Sequence, residues 1–202
     1  MTLLKDKLTG YRLLLASRSP RRRELLEGAG IDFSLAENFD VDEKYPAGLP
    51  VHEVPGFLAR LKSEAYPVPL ETKDILLTAD TVVLCGDKVF GKPRDRAGAV
   101  EMLGELSGRK HIVVTGVVLR SADFVHEFSV ATDVWFRPLS REETEYYVDA
   151  YRPYDKAGAY GIQEWIGYVG IERIEGSFYN VMGLPVQALY VELDKFVDRM
   201  HA

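Results

Sequence analysis

Cysteine is almost missing from this 202-residue chain, which has only Cys85. That excludes an internal disulfide and a thiolate zinc site, and it suits a reducing cytosol. The 4 histidines, His52, His111, His126 and His201, show no metal-ligand spacing. No apolar run approaches the roughly 20 residues of a membrane helix. Residues 1–12 lack the apolar stretch of a signal peptide, so a cytoplasmic location away from membranes is expected. Positive charge is in the minority: 25 Lys and Arg face 31 Asp and Glu, and the net charge of −6 argues against a stable nucleic-acid complex. A Walker-type glycine–lysine loop is absent, which excludes an ordinary P-loop ATPase. Nothing suggests a covalent nucleophile, since Cys85 falls in an expected strand without a candidate histidine base. No repeat, low-complexity tract or composition break marks a second domain, so residues 1–202 are expected to form one domain.

One stretch stands out against that acidic background: Leu13-Leu14-Leu15-Ala16-Ser17-Arg18-Ser19-Pro20-Arg21-Arg22-Arg23. It predicts a buried strand, a tight turn and a helix with Ser19 as N-cap and Pro20 as its first residue. Three arginines then crowd the positive end of the helix dipole, where a cation is unfavourable by about 0.3–1 kcal/mol. An anion shared by backbone N–H and guanidinium groups would reverse the sign of each term. A solvated basic face is the alternative.

The loop after an expected strand at 31–36 carries Asp40, Asp42 and Glu43. Such clusters are usually solvated, but near a phosphate site they gain meaning, because phosphate chemistry generally needs a divalent cation. A helix is expected over 55–66, with Phe57, Leu58, Leu61 and Ala65 on one face and Lys62 beside it. Ile75 to Ala79 reads as a buried strand that runs into Asp80-Thr81 and on to Cys85. An Asp inside an apolar strand needs a reason: a metal ligand, a general base, or a buried hydrogen-bonding carboxylate. Gly86-Asp87 turns the chain back, bringing Lys92 towards the end where Asp80 lies. Asp95 caps a helix, two long strands follow at 110–120 and 124–136, and Ser140 with Glu143 forms a capping box. That helix has Thr144, Tyr147, Val148 and Tyr151 as its inner stripe. The glycine-rich segment from Asp155 to Gln163 lets backbone approach a ligand, with the Gln163 amide suited to a base edge. A plain structural loop fits the same residues. A strand at 168–174 and a C-terminal helix opened by Pro185 complete the chain, with Val186, Leu189, Tyr190, Leu193 and Val197 inward. An anion site, carboxylates, lysines and an amide-bearing loop together suit phosphoryl chemistry on a nucleotide.

Four segments resemble the Maf family of nucleoside triphosphate pyrophosphatases: Leu-Ala-Ser-Arg-Ser-Pro-Arg-Arg at 15–22, Ala-Asp-Thr-Val-Val at 79–83, Gly-Lys-Pro-Arg-Asp at 91–95 and Asp-Lys-Ala-Gly-Ala-Tyr-Gly-Ile-Gln at 155–163. The resemblance covers almost the whole chain. It implies an α/β fold, an elongated mixed β-sheet flanked by helices with two lobes and a central cleft, similar to the inosine triphosphatases. It implies cleavage of a nucleoside triphosphate between the α- and β-phosphates, dependent on a divalent cation, Mg²⁺ or Mn²⁺. Asp80 is then the proton acceptor, with Lys62 and Lys92 in the catalytic set. Ser17, Arg21, Arg22, Thr81 and Gln163 bind substrate, and Glu43 and Asp80 hold the metal. Arg21, Thr81 and Gln163 fall on the family's markers of base selectivity, and the loop resembles the branch acting on dTTP and UTP rather than on 7-methyl-GTP. A homodimer, a role in nucleotide-pool cleansing and a link to cell-division arrest are further implications. There are departures: Leu61-Lys62-Ser63 stands where Glu-Lys-Ala is usual, an extra residue precedes Glu43, and Trp165 replaces a small residue, narrowing that side of the pocket. A function of another class, a non-catalytic nucleotide-sensing regulator of cell division, would use the same arginines without turnover.

Overall fold

The computed structural model describes residues 3–201. Among them β1 (Arg12–Leu15) pairs in parallel with β2 (Ser34–Leu35) on one side and β3 (Asp74–Cys85) on the other, with Leu15 opposite both Leu35 and Leu77. Parallel neighbours need long crossovers, and helices α2 (Pro20–Gly28) and α3 (Val54–Glu64) lie in them. β4 (Lys88–Phe90) folds back antiparallel on β3 around Gly86, whose φ of +61° suits glycine. β5 (Lys110–Arg120) and β6 (Val125–Phe136) are separated by a hairpin-length link, and β7 (Ile171–Glu175) runs antiparallel to β6. The described strands form one mixed sheet in the order β2-β1-β3-β5-β6-β7, with β4 on β3. The fold is therefore mixed α/β, as expected. β2 is only two residues long: Ile31 is buried, but the segment expected to be a strand from 31 is unpaired until Ser34.

Contacts divide the chain into two compact units, each built from separate segments. The first takes the chain through Asp80, Thr115–Val130 and the chain from Gly183. In it, α1 (Leu4–Lys7) meets the C-terminal helix, α8 (Val186–Met200). Lys7 bridges Asp194 and Asp198 at 2.9 and 2.8 Å, and the Leu4 N–H donates to the Tyr190 hydroxyl at 3.4 Å. Tyr190 is accordingly 37% exposed rather than inward, and Phe196 joins Leu189, Leu193 and Val197 on the buried face. At the start of β1 and β3, Arg12 makes a bidentate pair with Asp74, both bonds 2.8 Å, and holds that carboxyl below its usual range. The buried face of α3 is Val54, Pro55, Leu58, Ala59 and Ser63, rotated from the expected stripe, and Ala65 is exposed.

The second unit comprises Thr81–Val114 and Ala131–Met182. Its core includes Phe90, Leu103, Leu106, Phe136, Tyr147 and Ile166, and each such aliphatic or Phe side chain contributes about 1.5–3 kcal/mol by burial. Asp95 accepts the Gly98 N–H at 2.8 Å, capping α4 (Arg96–Leu106) as expected. The capping box of α5 (Arg141–Tyr151) is also present, and an Arg137 fork at 2.6 and 3.0 Å pulls the Glu143 carboxyl down to about 2. Tyr151, expected inward, is 38% exposed and stacks on Tyr147. The strand expected from 168 begins only at Ile171, because residues before it form α6 (Trp165–Gly170). There the Gly167 backbone lies so close to the Ile162 carbonyl that a Cβ would sit 1.7 Å from its oxygen. A further short helix, α7 (Phe178–Met182), carries buried Asn180, which donates to the Val113 carbonyl at 3.1 Å. No helix among the described residues is long and apolar enough to cross a membrane.

Candidate active site

The register of β1 against β3 brings two distant motifs together. The Ala16 N–H donates to the Leu77 carbonyl at 2.9 Å, so the chain leaves β1 at Ser17 level with the approach to Asp80. This is the carboxyl end of parallel strands, where α/β folds place ligands. The cap expected from the Ser19 side chain does not form. Instead the Ser17 hydroxyl accepts the Ser19 N–H at 3.2 Å. Arg22, in the first turn of α2, is only 8% exposed. Its Nε donates to the Gly183 carbonyl at 2.9 Å, and its Nη1 donates to the Ala79 carbonyl at 2.8 Å and to Ser17 Oγ at 3.1 Å. Burial pulls the Arg22 pKa down, opposed by the Asp80 charge. A guanidinium held this way is a brace that ties helix start, strand and Gly183 turn together. Its carbonyl acceptors lie 57 and 161 residues away in sequence, so nothing local announces the role. Arg21 is half-buried on the same turn, whereas Arg18 pairs with Asp40 at 2.7 Å on the surface.

Asp80 is 8% exposed within β3. The Lys62 ammonium lies 2.5 Å from Asp80 Oδ1 and 3.0 Å from Glu43 Oε1, so three residues singled out in the sequence meet. Of the acidic loop, Glu43 reaches Lys62 while Asp42 pairs with Lys44 at 2.6 Å. Two contacts seat α3 for this. The Thr78 hydroxyl donates to the Ala59 carbonyl at 2.7 Å, and Gly56 lies bare against Gly116, where a Cβ would come within 2.4 Å of the Gly56 nitrogen. Glycine inside a helix and glycine inside a strand are both unfavourable by propensity, and together they are the sequence signal for that close approach.

Thr81, Lys92 and Gln163 belong to the second unit. Thr81 is half-buried in β3, and Lys92 is exposed on the loop after β4. The neighbouring Gly91 carbonyl accepts the Gly158 N–H at 3.0 Å, tying that loop to the glycine-rich segment. Gly158 has φ +67°, and a Cβ there would sit 2.8 Å from a Val83 methyl, so the position needs glycine twice over. Residues 161–164 form a turn closed by the Glu164 N–H on the Gly161 carbonyl at 3.0 Å, with Gln163 in its third position. Gln163 Oε1 is buried and has no hydrogen-bond partner among the described residues. Trp165 packs edge-on against the Tyr146 ring at 5.1 Å. The sequence did not point to a polar role for Tyr147. Its hydroxyl accepts the Gly161 N–H at 3.0 Å and donates to Glu164, whose other oxygen lies 3.1 Å from the Lys156 ammonium. Burial and then the bond to Glu164 push the phenol well above its usual pKa.

Among the described residues no three His, Cys, Asp or Glu side chains come together, so there is no all-protein metal cage. The donor set nonetheless suits an ion such as Mg²⁺, which is commonly held by one or two carboxylates together with substrate phosphate oxygens. Asp80 and Glu43, gathered around Lys62, provide two carboxylates of that kind.

The sequence profile of the family described as Maf-like protein matches residues 12–196. A dTTP/UTP pyrophosphatase of Bacteroides thetaiotaomicron is 53% identical over 188 residues, covering 93% of this chain and 97% of its own. One of Parabacteroides distasonis is 52% identical over 191 residues, covering 95% and 99%. Among solved structures, a HAM1 protein from Coxiella burnetii aligns over 92% of this chain and 99% of its own, at 16% identity and a TM-score of 0.47. The profile match and the near full-length relatives lead to one conclusion: the chain belongs to the Maf family.

Proposed function

We propose that this chain is a nucleoside triphosphate pyrophosphatase that hydrolyses dTTP and UTP to the monophosphate and pyrophosphate. The relatives bearing that name support the reading. The observation that carries it is the Lys62–Asp80–Glu43 cluster on the buried strand β3, close to the Ser17–Arg22 turn. Lys62 engages Asp80 Oδ1 and so fixes the carboxylate, leaving Oδ2 to take a proton from water. The oxygen of that water bonds to phosphorus, the α–β anhydride bond breaks, and its electron pair departs with pyrophosphate. Ser17 and Arg21 bind phosphate oxygens, Lys92 adds an ammonium, and Arg22 holds the turn in shape. Thr81 and Gln163 face the base, where the Gln163 amide suits the N–H and carbonyl of a uracil or thymine imide. A divalent cation held by Asp80 and Glu43 would supply charge neutralisation on the phosphates. A family profile that spans segments of both units supports treating residues 1–202 as one domain. A cytoplasmic homodimer serving nucleotide-pool cleansing is part of the same proposal.

The test is a panel of triphosphates incubated with Mg²⁺ or Mn²⁺ and resolved by anion exchange. dTTP and UTP should yield monophosphate and pyrophosphate. Diphosphate with orthophosphate would refute the cleavage site, and tight binding without turnover would favour the sensor. Asp80→Asn should lose turnover with its circular dichroism unchanged, and an active variant would remove Asp80 from its role.

A further inference from the structure

The turn that carries Gln163 is held by more than a turn needs. Its own closing bond, from the Glu164 N–H to the Gly161 carbonyl, would suffice for a surface loop. Here one buried hydroxyl, on Tyr147 of α5, grips both corners: it accepts the Gly161 N–H at 3.0 Å and donates to the Glu164 carboxylate. Lys156 then clamps the other Glu164 oxygen at 3.1 Å, and its ammonium also meets Asp155 at 2.8 Å. The inside of the turn is filled, since a Cβ on Gly161 would lie 2.9 Å from Glu164 Cδ and 3.1 Å from Lys156 Cε. Desolvating an ammonium, a carboxylate and a phenol together is a poor route to stability, because well-packed apolar residues of like volume do as well or better. The gain is therefore in geometry.

The atom that benefits is next to the grip. Gln163 Oε1 is buried without a partner among the described residues, and a buried acceptor left unanswered is unfavourable. Such an arrangement persists only where the surroundings over-determine it. We infer that Tyr147, working through Glu164 and Lys156, is a positioning residue that aims the Gln163 amide at an N–H donor on the substrate base and so sets selectivity for imide-bearing pyrimidines. This inference rests on the reading of Gln163 as the residue facing the base.

Steady-state kinetics with UTP and CTP test it. Tyr147→Phe should raise KM for UTP about tenfold, the weight of one well-placed hydrogen bond, with kcat nearly unchanged and the UTP-over-CTP ratio of kcat/KM lowered. Glu164→Gln, which still accepts from Tyr147, should be milder than Glu164→Ala. Thr144→Val is the control on the same helix: its hydroxyl bonds the Ser140 carbonyl at 3.0 Å within α5, so KM and the ratio should not move. If Gln163→Ala changes KM and the ratio while Tyr147→Phe changes neither, the positioning role is overturned and the reading of Gln163 stands. An equal change in Thr144→Val also overturns it, since the effect would then belong to α5 as a whole. If Gln163→Ala itself leaves both unchanged, the reading of Gln163 falls, and the positioning role with it.

Discussion

His111 lies on β5 with 1% of its surface exposed, its Nε2 2.8 Å from the Tyr160 hydroxyl and the Phe136 and Tyr160 rings edge-on around it. Burial pulls its pKa from 6.5 down to about 4. The unfolded chain therefore binds a proton on this histidine between those values while the folded chain does not, and stability falls as pH drops through that window. Each pH unit inside it is worth about 1.4 kcal/mol, so acidification from pH 7 to 5 should remove about 2 kcal/mol through this residue alone. Full loss, about 3 kcal/mol, is reached only below pH 4. Carboxylates titrate over the same range, so the clean comparison is with His111→Gln, which keeps an acceptor for Tyr160 but cannot titrate. Urea unfolding of both proteins at pH 7 and pH 5 isolates the term, because any fixed packing penalty of the variant cancels between the two pH values. The gap between the two proteins should shift by about 2 kcal/mol in favour of the variant, roughly 4–8 °C in Tm at this chain length. A gap constant to within about 0.5 kcal/mol would refute the reasoning, since a histidine that titrates alike in both states cannot contribute.

Two further substitutions probe the first unit. Lys62→Met leaves the Asp80 and Glu43 carboxylates facing each other without a cation, and should cost about 2 kcal/mol at pH 7. Added Mg²⁺ should recover part of that loss in a melting scan, and a Tm indifferent to Mg²⁺ would remove the ion from this cluster. Gly116→Ala forces a methyl against the Gly56 backbone, so it should destabilise by about 1–3 kcal/mol and, by shifting α3, lower kcat more than it raises KM. Wild-type stability and turnover would refute the close approach.

Those elements whose stabilising contacts are local were legible in the sequence. The strand through Asp80, the Asp95 cap and the Ser140–Glu143 box follow from residues a few positions apart, and the structure has all three. The meeting of Lys62, Glu43 and Asp80 followed from chemical type together with family resemblance. What escaped depends on partners far along the chain. Arg22 reads as a clamp on a bound anion, and its bracing bonds to the Gly183 and Ala79 carbonyls are invisible until those distant segments arrive. Residues 168–170, the end of α6, read as the start of a strand because Tyr168 and Val169 favour strands, whereas the bare Gly167 backbone packs on Ile162 and the helix runs on to Gly170. Tyr147 fits an apolar stripe equally well with or without a polar task for its hydroxyl. The α3 face was misjudged by a fraction of a turn because two glycines, rather than the large apolar residues, mark where that helix is pressed closest.

The brace at Arg22 also imposes an order on biosynthesis. One of its carbonyl acceptors, Gly183, is 161 residues downstream, so the guanidinium cannot be fully satisfied until that whole stretch has been made. At about 5–20 residues per second that delay is roughly 8–30 s. Residues 81–182, which span the whole second unit, are polymerised before the last segment of the first unit exists. The arginine-rich turn is thus translated before the whole second unit and reaches its final form only after it. During that interval its cationic side chains stay hydrated, and the nascent chain gains the finished turn only with the return of α8.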